Sequence, residues 1–409
     1  MTWPVRAVGV VVGLGVVLGM AGGEAARRPR PALPDALTPV LVRPVAATVA
    51  PVLGDDGRYH AVYELWLTNA KAVPATIDRI EVLDAADHGR VVKSLSGEEL
   101  AAAFVRLTGR PDGATALAQD ESRVVFVELG FDRRADVPEA LVHRITGTGA
   151  SSPAAREPSP MAYVAGTIPL NRFRPPALGP PLEGRGWVAV NGCCLGSGPH
   201  RSALQSVNGR LDNGQRFAVD WMRMDDADRF VAGDPGVVSN WAGYDQRVFA
   251  VAGGVVVATG DGLPDQPPGQ LPDPATITLQ TVDGNHVVLD IGRGLFVFYA
   301  HLKKGSLTVR TGDRVPAGKE LGRLGNSGNT SAPHLHLQVM NGPSPLGATG
   351  LPYVHRAFTL TGTVDAARFA SAADQTGAWG NRAAFTPAPR SLALPLDLHI
   401  LDWPTPKGR

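Results

Sequence analysis

The chain has 409 residues, 44% of them hydrophobic, which is enough for two or three domains with buried cores. It carries 39 lysines and arginines against 38 aspartates and glutamates. This balance gives no electrostatic argument for a nucleic-acid partner or for binding to an anionic membrane surface. The 48 glycines and 35 prolines favour many turns and short strands over long helices.

Residues 1–26 have the pattern of a secretory signal peptide. Arg6 provides a positive charge, residues 7–20 form an apolar run, and small residues follow it. The alternative is an uncleaved membrane anchor, but the run is shorter than the ~20 residues that a spanning helix needs. We therefore expect an exported protein with no stable membrane insertion after cleavage.

Residues 36–165 are predicted to form an immunoglobulin-like β-sandwich. Alternating apolar residues at 59–69, and β-branched and aromatic residues at 75–85 and 122–131, predict strands. A short helix is predicted at 96–104, where the pattern S-G-E-E is typical of a capping box.

The histidines of this first region do not form a chemical cluster. His60, His88 and His143 are expected at its surface or edges, so we assign the domain a structural or positioning role. The stretch at 149–160 is rich in Ser, Pro and Ala and has the composition of a linker.

Five polar side chains between residues 200 and 336 form a candidate metal site. Alternation along a strand places His334 and His336 on one face. His301 ends an aromatic strand, Asp220 alternates with apolar residues of another, and His200 precedes it. A hydrolytic zinc site uses three His, Asp or Glu ligands and keeps a fourth position open. Such a site also needs a group that transfers protons, and the remaining histidines can supply it.

The only two cysteines, Cys193 and Cys194, are adjacent. In an exported protein they form a vicinal disulfide or remain two free thiols. Adjacent cysteines make a poor zinc pair, so we do not expect them to bind the metal.

The sequence FYAHL, followed by VRTGDRVPAGKELGRLGNSGNTSAPHLHLQV, resembles the lysostaphin-like, LytM-type zinc metalloendopeptidases, which are peptidoglycan hydrolases. The resemblance covers about residues 190–345. It implies that Zn²⁺ is bound by His200, Asp220 and His336. It further implies that His301 and His334 are the catalytic residues.

The resemblance also implies the architecture. A mainly β protein is expected, in which the sandwich is followed by an antiparallel β-rich peptidase domain of the swapped-hairpin, barrel-sandwich hybrid type over 175–365. Independently of the resemblance, weak periodicity predicts a C-terminal tail at residues 366–409, with SLALPLDLHILDW as one possible late strand.

Two positions depart from the family pattern. Family members usually have the first histidine and the aspartate close together, as H-x-x-x-D, whereas nineteen residues lie between His200 and Asp220. A hairpin insertion accounts for this, because Asn208-Gly209 and Asn213-Gly214 are turn dipeptides. Gln338 stands where the family often has Glu, and its amide can still hydrogen-bond a ligand.

The expected function is that of an exported zinc endopeptidase whose partners are peptidoglycan peptides, in cross-links or stem peptides. An alternative is a catalytically inactive module on the same scaffold that binds the cell wall or regulates hydrolases, although such modules typically lack the ligands. A lipoyl- or biotinyl-carrier-like barrel is a third interpretation, but it needs an exposed lysine on a hairpin tip that LGNSGN does not offer.

Overall fold

The computed structural model describes residues 36–47, 49–170, 173–194, 196, 198–371 and 376–404. The protein is mainly β and its sheets are predominantly antiparallel, as predicted. The predicted signal peptide lies outside the described residues. Within them, no helix has both the length and the apolar character needed to cross a membrane.

The first domain is a β-sandwich. One sheet has the order β1-β3-β8-β6, with β2 added to β3, and the other has the order β10-β9-β4-β5, with β7 added to β4. Its elements are β1 (Val40–Pro44), β2 (Val52–Leu53), β3 (Tyr59–Asn69), β4 (Ala75–Asp84), β5 (Asp87–Ser96), α1 (Gly97–Ala103), β6 (Phe104–Arg106), β7 (Ala116–Leu117), β8 (Ser122–Phe131), a 3-10 turn (Arg134–Asp136), β9 (Ala140–Gly149) and β10 (Ser159–Pro169).

The sandwich core follows from alternation along its strands. In β3, Tyr63, Leu65 and Leu67 are buried together with apolar residues of the facing sheet. The predicted helix is present as α1, but Ser96 makes no side-chain capping bond. The stretch of linker composition at 149–160 joins β9 to β10 within one sheet.

Two histidines of the sandwich are buried, so the expectation of surface or edge positions is wrong for them. His143 donates from Nδ1 to the Gly166 carbonyl at 2.8 Å, and its Nε2 accepts from the Tyr63 hydroxyl at 2.8 Å. His60 is 6% exposed and its Nε2 lies 3.1 Å from Asp56 Oδ2. Local hydrogen bonds of this kind allow a histidine to be buried and have no signature in strand alternation.

The second domain is built on one large sheet of order β20-β17-β18-β19-β22-β15-β12-β27-β25-β26, with β23 added to β22. Its elements are β11 (Ala177–Leu178), β12 (Trp187–Val190), β13 (Gln205–Val207), β14 (Arg210–Asp212), β15 (Val219–Arg223), a 3-10 turn (Val238–Asn240), β16 (Arg247–Phe249), β17 (Gly254–Gly260), a 3-10 turn (Pro274–Thr276), β18 (Asn285–Gly292), β19 (Leu295–Leu302), β20 (Arg314–Val315), β21 (Glu320–Arg323), β22 (Leu335–Met340), β23 (Gly350–Leu351), β24 (Val354–His355), β25 (Phe358–Thr363), α2 (Ala366–Ser371), a 3-10 turn (Arg382–Ala384), β26 (Ala388–Arg390) and β27 (His399–Asp402).

Two strands of the expected C-terminal tail at 366–409 belong to this sheet. Strand β27 lies between β12 and β25, and β26 pairs with β25. The expectation of a tail is therefore corrected for residues 388–402. Leu401 and Trp403 are buried in the same core as β12 and β15, and this burial holds the segment in place.

Candidate metal centre

Three neighbouring strands position the site. Strand β22 lies between β19 and β15, and His336 is paired with Ala300 on one side and with Asp220 on the other. Leu335 and Leu337 are fully buried in the core behind the sheet. The alternate residues therefore face the opposite side, where His336 lines a cleft.

Two histidines and one aspartate converge in this cleft. Asp220 Oδ2 lies 3.3 Å from His200 Nε2, and Asp220 Oδ1 lies 3.0 Å from His336 Nδ1. One ligand atom from each of the three residues lies within 4.8 Å of the others, and all three residues are buried. The nineteen residues between His200 and Asp220 thus loop out and return to the same point.

The rings of two of these histidines are oriented by fixed hydrogen bonds. His200 Nδ1 donates to the Asn191 carbonyl at 2.8 Å, which leaves the lone pair of Nε2 facing Asp220. His336 Nε2 donates to Gln338 Oε1 at 3.0 Å, which leaves the lone pair of Nδ1 facing the same carboxylate. Because the Gln338 amide nitrogen donates to the Pro345 carbonyl at 3.0 Å, its oxygen is held towards the ring. Such outer hydrogen bonds set the tautomer of a metal-binding histidine.

His301 and His334 lie beside this group. Their ring centroids are 4.7 Å apart, and His334 Nε2 is 3.3 Å from Asp220 Oδ1. His301 Nδ1 donates to the Ser327 carbonyl and His334 Nδ1 donates to the Ala332 carbonyl, each at 2.8 Å. When each ring is neutral, its Nε2 therefore carries the lone pair. The structure brings all five predicted site residues together.

Two residues of the site have left-handed backbone conformations. The φ angle is 61° at His301 and 56° at Asn191. Non-glycine residues rarely adopt these values, and they are enriched at functional sites where surrounding bonds hold them. At His301, the backbone N–H donates to Asp283 and the carbonyl accepts from Gly325.

Burial and the Asp220 charge determine the protonation of the group. Burial would raise the pKa of Asp220, but the neighbouring charges of His200 and His334 lower it well below its usual range. Burial opposes protonation of these two histidines, yet the charge of Asp220 outweighs it and raises the pKa of each. Burial, assisted by the charges of His334 and His336, lowers the pKa of His301 well below its usual value, so this ring is neutral.

Residues 238–347 match the model of Peptidase family M23. This segment resembles an M23 peptidase. It contains His301, His334 and His336, whereas His200 and Asp220 precede it. The resemblance to the lysostaphin-like, LytM-type family is thus found independently in the part of the chain that carries the H-L-H strand.

Parts of the chain are similar to known proteins. The peptidoglycan DD-endopeptidase ShyA of Vibrio cholerae is 35% identical over 65 residues, which is 16% of this chain and 15% of ShyA. The chain thus spans less than a fifth of the length of this curated relative. The catalytic domain of lysostaphin from Staphylococcus simulans is 22% identical over 41% of this chain and 88% of that domain, with a TM-score of 0.23. The catalytic domain of EnpA from Enterococcus faecalis is 16% identical over 44% of this chain and 93% of that domain, with a TM-score of 0.25.

The cleft above the M23-like segment is large enough for a peptide. Its volume is about 920 Å³, near the upper end of the usual range for ligand pockets. The aromatic side chains of Phe230, Trp241, Phe369 and Trp379 line it together with the five site residues. The cleft therefore offers apolar surface beside the polar centre.

Sequence reasoning missed two polar residues of the site. The Asn191 side chain donates to Asp220 Oδ2 at 2.8 Å, so this residue contacts two candidate ligands. The Asp283 carboxyl lines the cleft, and burial raises its pKa although His286 and His336 oppose the shift. Both residues lie in an Asn-Gly or Asp-Gly dipeptide next to a strand. Such a dipeptide predicts a turn and does not by itself indicate a site residue.

Cys193, Cys194 and His286, the weaker candidates of the sequence, do not line the cleft. Cys193 and Cys194 form a disulfide with each other and are both buried. His286 donates from Nδ1 to the Gly284 carbonyl at 2.9 Å, and its ring contacts Phe298.

The donor set of His200, Asp220 and His336 fits zinc. Ligand atoms bound to one tetrahedral zinc at about 2.0–2.1 Å lie roughly 3.3 Å from each other. His200 Nε2 lies 3.3 Å from Asp220 Oδ2 and His336 Nδ1 lies 3.0 Å from Asp220 Oδ1, so each histidine nitrogen is near this distance from one carboxylate oxygen. Two imidazole nitrogens and one carboxylate are also the ligand types that open zinc sites use.

Proposed function

We propose that the protein is an exported, zinc-dependent endopeptidase that hydrolyses peptide amide bonds in peptidoglycan cross-links or stem peptides. The observation that carries this proposal is the convergence of His200, Asp220 and His336, whose ligand atoms lie within 4.8 Å of one another beside two further histidines. The M23-like segment and the similarity to a peptidoglycan endopeptidase support the substrate class. The apolar run at 7–20 supports export.

In this proposal the residues of the site have different roles. Zinc, when bound, polarises a carbonyl group and makes water more acidic. His301, whose buried ring is neutral, accepts a proton at Nε2. His334, whose pKa is raised by Asp220, donates a hydrogen bond from Nε2 to the developing oxyanion. The Ser327 and Ala332 carbonyls hold the two rings in place for these tasks.

The complete donor set also supports an enzyme over the inactive module. A scaffold that only binds the cell wall has no need to bury three metal-binding side chains around one point. It also has no need to orient their rings through Asn191 and Gln338. Buried polar groups of this kind are costly unless they are paired or bind a metal.

The test is to measure zinc content and cleavage on the same preparation of mature protein. We expect one zinc per chain, release of soluble fragments from purified peptidoglycan, loss of release after chelation, and recovery on adding zinc. Mass spectrometry of the same sample should show a chain beginning near residues 24–27. Protein that binds peptidoglycan without zinc or cleavage would instead support the inactive module.

A further inference from the structure

Residues 201–219 connect the first two candidate zinc ligands. It contains the hairpin of β13 and β14, which pair with each other in a two-stranded sheet separate from the large one. The large sheet holds Asp220 through β15. The position of His200 therefore depends on what holds this connecting segment.

The first domain holds the connecting segment. Leu204 and Leu211 pack against Val105, Val124 and Phe126 of the sandwich. The backbones also meet closely, because a Cβ at Gly109 would collide with the Ser202 carbonyl oxygen. The sandwich thus covers the outer side of the segment.

One buried carboxylate of the sandwich joins the two ends of the connecting segment. Glu64 of β3 is fully buried and forms ion pairs with Arg201 and Arg216. Arg216 donates from Nη2 to Glu64 Oε2 at 2.6 Å and from Nε to Oε1 at 3.1 Å. Arg201 directly follows His200, and Arg216 lies four residues before Asp220.

Glu64, Arg201 and Arg216 stabilise one another's charges in the buried interface. Both guanidinium groups are at most 4% exposed, and like charges repel when they are buried together. Burial would raise the pKa of Glu64, but the two guanidinium groups lower it, so the carboxylate is ionised. It forms an ion pair with each cation, and its two oxygens hold the ends of the segment next to each other.

The separation of these two ends determines the orientation of the first ligand. His200 Nδ1, which donates to Asn191, also lies 3.1 Å from the carbonyl of Ala218. Ala218 lies between Arg216 and Asp220. If the two arginines moved apart, His200 would lose its place beside Ala218 and Asp220.

We propose that Glu64 is a positioning residue for the metal centre. The N-terminal sandwich is therefore required for the geometry of the site. This inference rests on the proposed zinc-dependent function. It assigns the sandwich a role in holding His200 through Arg201 and Arg216.

The experiment compares zinc affinity among full-length mature variants. Glu64→Gln removes the charge, and Asp55→Asn is the matched control. Asp55 is also a fully buried sandwich acid, but its Oδ2 accepts from His399 Nδ1 at 2.9 Å in β27. We expect Glu64→Gln to weaken zinc binding about 10- to 100-fold, the range for residues that orient a ligand. We expect Asp55→Asn to stay within about threefold of wild type, with an unchanged visible spectrum of the cobalt-substituted protein.

Far-UV circular dichroism checks that each variant is folded. A folded Glu64→Gln variant with the zinc affinity of the control would overturn the inference. If Glu64→Gln does not fold, Glu64→Asp decides, because it keeps the charge but is too short to hold both arginines. Wild-type affinity in Glu64→Asp would then show that Glu64 serves stability alone. A wild-type protein that binds no zinc would refute the proposed function itself, and this inference with it.

Discussion

His143 in the sandwich and His301 in the second domain have the same local chemistry and different surroundings. Each ring is buried, each donates from Nδ1 to a backbone carbonyl at 2.8 Å, and burial lowers the pKa of each. The Nε2 of His143 accepts from Tyr63 inside a closed core. The Nε2 of His301 faces a cleft beside His334.

The difference shows which property separates a structural histidine from a functional one here. Burial and a lowered pKa are common to both positions, so neither identifies the site. The accessible lone pair and its neighbours identify the site, because a neutral imidazole can accept a proton only from a group that reaches it. Substitution of His301 should therefore affect cleavage, whereas substitution of His143 should affect stability.

The largest effect is expected for His336→Ala, which removes a candidate ligand. Two remaining ligands hold zinc poorly, so affinity should fall by more than about 100-fold and cleavage should be lost. Zinc content after gel filtration and fragment release from peptidoglycan measure both. Retention of stoichiometric zinc would contradict the assignment of His336.

A smaller effect is expected for His301→Ala and His334→Ala. Both should keep zinc and reduce the cleavage rate by roughly 10²–10⁴-fold each, the usual contribution of a general acid or base. The losses should not multiply in the double variant if both groups act in one step. Zinc loss from His334→Ala with zinc retention by His336→Ala would reverse the two roles, and unchanged cleavage in both single variants would place the reaction elsewhere.

The smallest effect is expected for His143→Gln, and it concerns stability alone. Burial lowers the pKa of His143 to about 4, whereas the unfolded chain titrates near the ordinary value of 6.5. The unfolded state therefore binds more protons between these values, and the contribution of His143 is complete above pH ~6.5 and is lost as the pH falls to about 4.

Between pH ~7.5 and ~5 this residue should account for about 2 kcal/mol of the wild-type loss in free energy of unfolding. Urea unfolding at the two pH values should show a smaller loss in His143→Gln, while zinc binding and cleavage stay as in wild type. His88→Gln, at a half-exposed position of the same domain, is the control. A wild-type pH dependence in His143→Gln would show that other groups cause it.

The sequence predicts those parts of the molecule that depend on local pattern. Alternation in 59–69 and the β-branched and aromatic residues of 122–131 predict β3 and β8 to the residue. Alternation also places Leu335 and Leu337 opposite the H-L-H histidines, and both are buried in the core. These features depend on neighbours within a strand, and a strand has a fixed period.

What the sequence leaves open depends on contacts between distant segments. Glu64 stands between apolar residues of β3, and alternation alone would place it towards solvent. It is buried because the second domain supplies Arg201 and Arg216 to that face. Likewise, the role of Asn191 depends on the return of β15 to its side, and no periodicity encodes that return.

The ion pairs of Glu64 also restrict how this protein can be recombined in evolution or by protein engineers. A gene fragment that encoded only residues 173–404 would transfer both arginines to a new host without their counter-charge. A heterologous N-terminal domain would have to present an acid at the same place, above a surface shaped for Leu204 and Leu211. The two domains are therefore expected to be inherited as one unit, and a search for homologues of the whole protein should require both halves together.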